Sequence, residues 1–288
     1  MTGCDATLFG ETSGPVAQAA VYAGPTSTYR ATVAYLGGRF HGFAAQPGQV
    51  TVAGVLSAAL ERSLRHAVEL TCAGRTDTGV HAWGQEVSFT ARADADVAAV
   101  SRSVNRALRP NVVVRSLSQA EEGFDARRWA TGRRYRYTVL NDPVLDPFTA
   151  HVAWHVPDPL DLRSMQLACD PLIGSHDFSS FCRRLPTGSL VREVRSATWT
   201  PLPGGYLRFE IEASSFCQQM VRSLVGTLVE VGTGRGRRRA GEMTAILRAR
   251  DRRAAGQLAP PHGLCLWEVT YPTSGPPPAP AWEAEDCC

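Results

Sequence analysis

Not one lysine occurs in this 288-residue chain, so all thirty of its basic residues are arginine. That absence excludes Schiff-base and pyridoxal chemistry and a Walker-type phosphate loop, each of which needs a lysine amine. No run of about 18 apolar residues exists, so no stretch is long enough to cross a bilayer as a helix. The N-terminal MTGCDATLFGETSGPVAQAA lacks both the basic start and the apolar centre of a secretory signal, which leads us to expect a cytoplasmic protein. The eight cysteines include no C-x-x-C pair and no histidine at finger spacing, so a structural zinc site is not expected. Without a secretory signal, reduced thiols are expected. The zinc deaminase pattern of H-x-E with P-C-x-x-C is absent as well. His81, His176 and His262 have no second ligand at helical or finger spacing and read as packed or hydrogen-bonded histidines. Neither a metal nor an organic cofactor is expected.

What is present is ordinary globular composition, 44% hydrophobic and 20% charged. The net charge is only +3, but arginines cluster at 126–137, 181–195 and 235–253. Such clusters suit a polyanion held by its phosphates, although the last two suit solvated helix faces equally well.

Residues 1–28 show no periodicity and read as a poorly ordered extension. From there the pattern is regular. Alternation predicts a strand over 30–37. A helix capped by Thr51 should run to about His66, followed by strands at 67–73 and 84–91, a helix over 95–108 and a strand over 111–117. This βαββαβ order is the ferredoxin-like split unit. The second half repeats it with a strand at 133–141, a helix within 159–174, two strands across a Pro-Gly-Gly turn, a long helix over 216–232 and a closing strand over 263–272. A short extra helix is predicted over 240–250. The expected fold is therefore α+β, with ferredoxin-like halves at 29–132 and 133–272 joined into one extended, mostly antiparallel sheet with a basic cleft. A Pro-rich acidic tail at 273–288 should stay outside the core.

One stretch carries chemistry. CAGRTDTGVHAWGQEVSF, Cys72 to Phe89, sets Asp77 in a polar turn between two strands, with Arg75 two residues before and Gly79 two after. Asp is common in turns because its side chain bonds the nearby backbone. A neighbouring arginine, however, keeps a carboxylate ionised, as a nucleophile requires. Asp77-Thr78-Gly79 also spells the aspartic protease triplet, but those enzymes need two carboxylates sharing a proton and no second D-T-G exists.

The same stretch resembles the signature of the tRNA pseudouridine synthase A (TruA) family, GRTDxGVHAxxQ, with Asp77 on its nucleophilic aspartate. F-H-G at 40–42, FDARRWATGRRYRYTVLN, GSHDFSSFCR, MVRSLVGTLVEVG and APPHGLCLWEVTYP follow in the family's order, so the likeness spans about Tyr29 to Pro272. It implies the pseudouridine synthase fold, a homodimer and tRNA held in basic clefts without metal or cofactor. The implied reaction isomerises uridine to pseudouridine in the anticodon arm. An ionised Asp77 would attack C1′ or assist by deprotonating C2′; the sequence leaves both open. Tyr135 falls on the family's active-site tyrosine, for stacking on uracil and assisting proton removal from C5. Arg222 falls on the arginine that pairs with the aspartate. Arg75, His41, Arg133 and Arg134 are the candidates for holding RNA. Phe124, Trp129 and Phe181 read as core residues instead of base platforms.

Several family positions differ. The aspartate of Y-D-G is Leu36, the tryptophan after H-G is Phe43, and the glutamine of T-V-Q-G is Ala53. Paired histidines before M-V-R are Gln218 and Gln219, and the threonine of T-A-P-P is Leu258. Lost hydrogen-bonding groups near a cleft bear on recognition and positioning before chemistry. A specialised relative acting on another RNA or on a free uridine nucleotide is thus the second reading, and a non-catalytic RNA-binding module the third.

Overall fold

The computed structural model describes residues 22–183, 188–234 and 238–277. Most of the expected N-terminal extension and of the acidic tail, with parts of the two later arginine clusters, lies outside the described residues.

The first half runs β1 (Thr26–Tyr35), α1 (Val52–Leu64), β2 (Thr71–Cys72), β3 (His81–Arg92), α2 (Val97–Leu108) and β4 (Val112–Gln119). Both helices start as side-chain caps dictate. Thr51 accepts from the Gly54 amide and Asp96 from the Ala99 amide, each satisfying a donor with no intrahelical partner. β1 begins two residues before the expected end of the extension, and Tyr22 already stacks on His66 with ring centroids 5.3 Å apart.

The second half runs β5 (Gly132–Leu140), β6 (Trp154–His155), α3 (Leu162–Leu167), β7 (Gly174–Asp177), β8 (Val191–Pro201), β9 (Tyr206–Ala213), α4 (Met220–Thr233), α5 (Met243–Ala249) and β10 (Leu264–Thr270). β6 and β7 are too short to leave a periodic trace. α3 is shorter than predicted because Pro171, which has no amide hydrogen, opens a separate 3-10 turn at Asp170–Leu172. α4 starts at Met220 and not at 216, since Gln219 takes a left-handed conformation with φ 67° that no helix interior allows.

The ten strands among the described residues form one sheet, in the order β4-β1-β3-β10-β5-β9-β8-β7, with β2 also on β3 and β6 on β5. β4-β1-β3-β2 and β10-β5-β9-β8 are the same ferredoxin-like order used twice, as the alternation predicted. The halves join where β10 runs parallel to β3, Cys265 opposite His81 and Leu266 opposite Ala82. On that same edge of β3, β2 pairs further along, at Val87 and Ser88. The chain from 73 to 80 therefore crosses the gap between β2 and β10, at the middle of the whole sheet.

Alternation assigns the two faces. On β5, Tyr135, Tyr137 and Val139 are buried against the helices, while Arg134 and Arg136 face the other way. That opposite face pairs its charges: Arg30 with Glu86 at 2.7 Å, Arg134 with Glu212 at 2.8 Å and Glu268 at 3.2 Å, Arg136 with Glu210 at 2.5 Å. α4 is apolar nearly all round and is covered on every side; Leu224, Val225 and Leu228 have no exposed surface. Burying each such side chain contributes about 2 kcal/mol.

Candidate active site

The turn that carries Asp77 is anchored from four directions. The Tyr35 hydroxyl shares a 2.7 Å hydrogen bond with Thr76 Oγ1, and Gln85 Nε2 donates to the Gly74 carbonyl at 2.6 Å. From across the joint, Arg133 on β5 donates one nitrogen to Ala73 O and another to Ser214 O, both at 2.8 Å. The Phe43 amide reaches Thr76 O at 3.1 Å, which brings the 40–43 segment against the turn. The approach is close enough that a side chain at Gly42, whose φ is 87°, would meet Thr76 O at 3.0 Å. Gly79, φ 80°, closes the turn against Pro261, where a Cβ would lie 2.9 Å from the ring.

His81 fastens the exit. Its Nδ1 accepts from the Gly37 amide at 2.9 Å, so Nε2 carries the proton and donates to His262 O at 3.0 Å. Burial lowers its pKa, so it serves as a neutral structural link between both halves. His176 and His262 likewise bond backbone carbonyls, of Ile173 and Ala153.

On this platform Asp77 is half-buried, and Tyr135 on β5 and Arg222 on α4 lie near enough to interact with it electrostatically. Arg222 does not form the direct ion pair expected. Its Nε donates to Ala259 O at 2.8 Å, and it interacts with Asp77 at longer range. Among the described residues the direct side-chain partner of Asp77 is Gln218, whose Nε2 stands 3.5 Å from Oδ1. Tyr135 is 8% exposed, with the Phe216 ring perpendicular to its own at 5.1 Å between centroids. Its pKa is pushed far up by burial, with Arg133 opposing and Asp77 reinforcing the shift. The phenol is therefore neutral at physiological pH, fitted for stacking and hydrogen bonding; acting as a base would require it to pass its own proton on.

The RNA-holding candidates separate. Arg75 is exposed on the turn itself and His41 is exposed beside Gly42. Arg75, Arg127 and Arg133 all act electrostatically on Cys72, and Arg133 acts on Arg192. Arg133 spends its hydrogen bonds on the scaffold. Arg134 lies on the far face, engaged by two glutamates, and does not join the site.

The altered positions separate too. Phe43 is buried at 2% exposure with its ring 6.0 Å from that of Tyr35, and Ala53 is buried in α1. Leu36 faces a hollow lined by Trp83 and Trp267. Of the changes expected to bear on recognition, Gln218 is the one in contact with the candidate nucleophile.

Residues that sequence reasoning passed over hold the site in place: Tyr35, Gln85 and Phe216. Tyr35→Phe removes the hydrogen bond that fixes Thr76 while leaving the ring in the core. Turnover is expected to fall about tenfold, the cost of an unpartnered buried hydroxyl, with little change in KM. Steady-state kinetics alongside thermal melting checks this.

A carboxylate on a backbone-locked turn, with a buried tyrosine and an exposed arginine near it, makes up the candidate site. Residues 31–127 and 168–272 match the family described as tRNA pseudouridine synthase, and the chain belongs to that family. It is 40% identical to tRNA pseudouridine synthase A of Myxococcus xanthus, over 85% of this chain and 92% of that protein. It is 38% identical to the protein of the same name from Brevibacillus brevis, over 84% and 98% of the two. Among solved structures, a Cbf5-Nop10-Gar1 complex is similar at TM-score 0.31 and 13% identity, covering 70% of this chain and 45% of that one.

Proposed function

We propose that this protein isomerises uridine to pseudouridine in the anticodon arm of tRNA, with Asp77 as the reacting carboxylate. The observation that carries the reading is that Asp77 lies in the gap between β2 and β10, within electrostatic range of Tyr135 and Arg222 from the other half. The chemistry balances within the nucleotide. The bond from N1 to C1′ breaks, one from C5 to C1′ forms, and the C5 proton leaves as N1 gains one. Asp77 forms a covalent bond at C1′ or removes the C2′ proton; either role needs the ionised form. The uracil must leave its stack to reach this depth, and Tyr135 is the surface on which it rests. Arg75, Arg127 and His41 hold the flanking backbone, and Arg133 keeps the turn in place. Mapping pseudouridine in unmodified tRNA after incubation with the enzyme tests the site of action. Residues in the anticodon arm are expected to change, whereas modification confined to another arm or another RNA would count against the reading.

The repeated strand order supports halves at about 29–132 and 133–272. We also propose a homodimer and a cytoplasmic location. Leu36 and Trp83 border a hollow of about 250 Å³, together with Thr149, Val152 and Trp267. Phe148, Val144 and Leu145, on the segment leading into it, are 86%, 74% and 47% exposed. An uncovered apolar surface of this kind fits a second copy of the chain. Phe148→Glu is expected to convert the dimer to monomer in sedimentation, with the melting transition retained. For location, the described residues contain no helix long and apolar enough to cross a membrane.

A further inference from the structure

Reduced thiols are expected throughout from the sequence, and Cys182 and Cys217, 35 residues apart, meet with Cα atoms 5.8 Å apart, within the span of a disulfide. No spacing motif announces the pair, because the sheet brings together the segment after β7 and the approach to α4. The neighbours of Cys217 are the residues that touch the proposed catalytic pair. The Phe216 ring stands perpendicular to that of Tyr135 with centroids 5.1 Å apart, and Gln218 stands 3.5 Å from Asp77. From the Cys182 side, the Arg183 amide donates to Gln218 O at 3.0 Å. A bond between the two sulfurs would hold, from both ends, the segment that touches Tyr135 and Asp77.

We infer that Cys182 and Cys217 form a thiol–disulfide exchange site, with a low-molecular-weight disulfide as its reactant, that holds this segment when oxidised and frees it when reduced. The inference rests on the assignment of Asp77 and Tyr135 above. Cys217 is 7% exposed against 2% for Cys182, so exchange starts there. Its thiolate attacks the small disulfide, forming a mixed disulfide and releasing one small thiol. Cys182 then displaces the second. Two protein thiols are oxidised, one small disulfide is reduced to two thiols, and the two protons leave with them. Cys169 and Cys265 do not compete, since burial pushes each thiol up to about 12 and keeps it protonated.

The test compares initial rates on tRNA after treatment with dithiothreitol and after treatment with oxidised glutathione, for the full-length wild type and Cys182→Ser. Oxidised wild type is expected to be slower by about tenfold or more, because a small misplacement at the reacting centre is costly. Renewed reduction should restore it. Cys182→Ser should run at the reduced wild-type rate under both conditions. Oxidised wild type, with the linkage verified by peptide mass, turning over as fast as reduced enzyme would overturn the latch. So would equal loss of activity in oxidised Cys182→Ser. Asp77→Asn assayed under reducing conditions keeps the two ideas apart: its inactivity upholds the site, so equal rates in the two redox states sink the latch alone.

Discussion

Asp77→Asn is expected to bind tRNA almost as the wild type does and to lose turnover by roughly 10⁴-fold or more, as loss of a reacting group does. The substitution keeps the shape of the side chain and leaves every anchor of the turn intact. Tyr35, Gln85, Arg133 and Phe43 all hold the backbone or Thr76 and not the carboxylate. What changes is that an amide neither attacks C1′ nor takes a proton from C2′. Single-turnover rates set beside filter-binding affinities separate these effects. Weakened binding in parallel with the lost rate would mean that Asp77 is a recognition residue.

Affinity for tRNA should fall about 10³-fold between about 50 and 200 mM salt if some six phosphates are held, because each contact releases condensed counterions. Apart from His41, the residues proposed to hold phosphate are arginines, so the slope rests mainly on charges that persist at any working pH. A free uridine nucleotide has too few charges to show it. Titrations at several salt concentrations therefore discriminate between a polynucleotide and a small substrate, and a flat response would favour the latter.

The sheet was legible because alternation is. Each half needs one buried face, so Tyr135 and Tyr137 mark β5 and the β8–β9 hairpin follows from its Pro-Gly-Gly turn. Asp77 stood out in the sequence for another reason: it sits in a dense polar turn beside Arg75, within a stretch that resembles a family signature. The same period of two that revealed β5 also separates Arg134 from Tyr135, a distinction that reading RRYRY as one basic patch obscures. Gln218, Phe216 and the Cys182–Cys217 pair make contacts between segments distant in sequence, created only when α4 docks. Arg133 looks like a phosphate ligand because a chain of letters does not show the orphaned carbonyls of Ala73 and Ser214 that it satisfies.

The central claim, that this turn delivers a carboxylate to a uridine in tRNA, is tested most directly by tritium release from tRNA carrying 5-tritiated uridine. The reaction exchanges the C5 proton, so the account predicts release with wild-type enzyme and none with Asp77→Asn, and none from tritiated uridine nucleotide. Release from the nucleotide but not from tRNA, or undiminished release by Asp77→Asn, would contradict it.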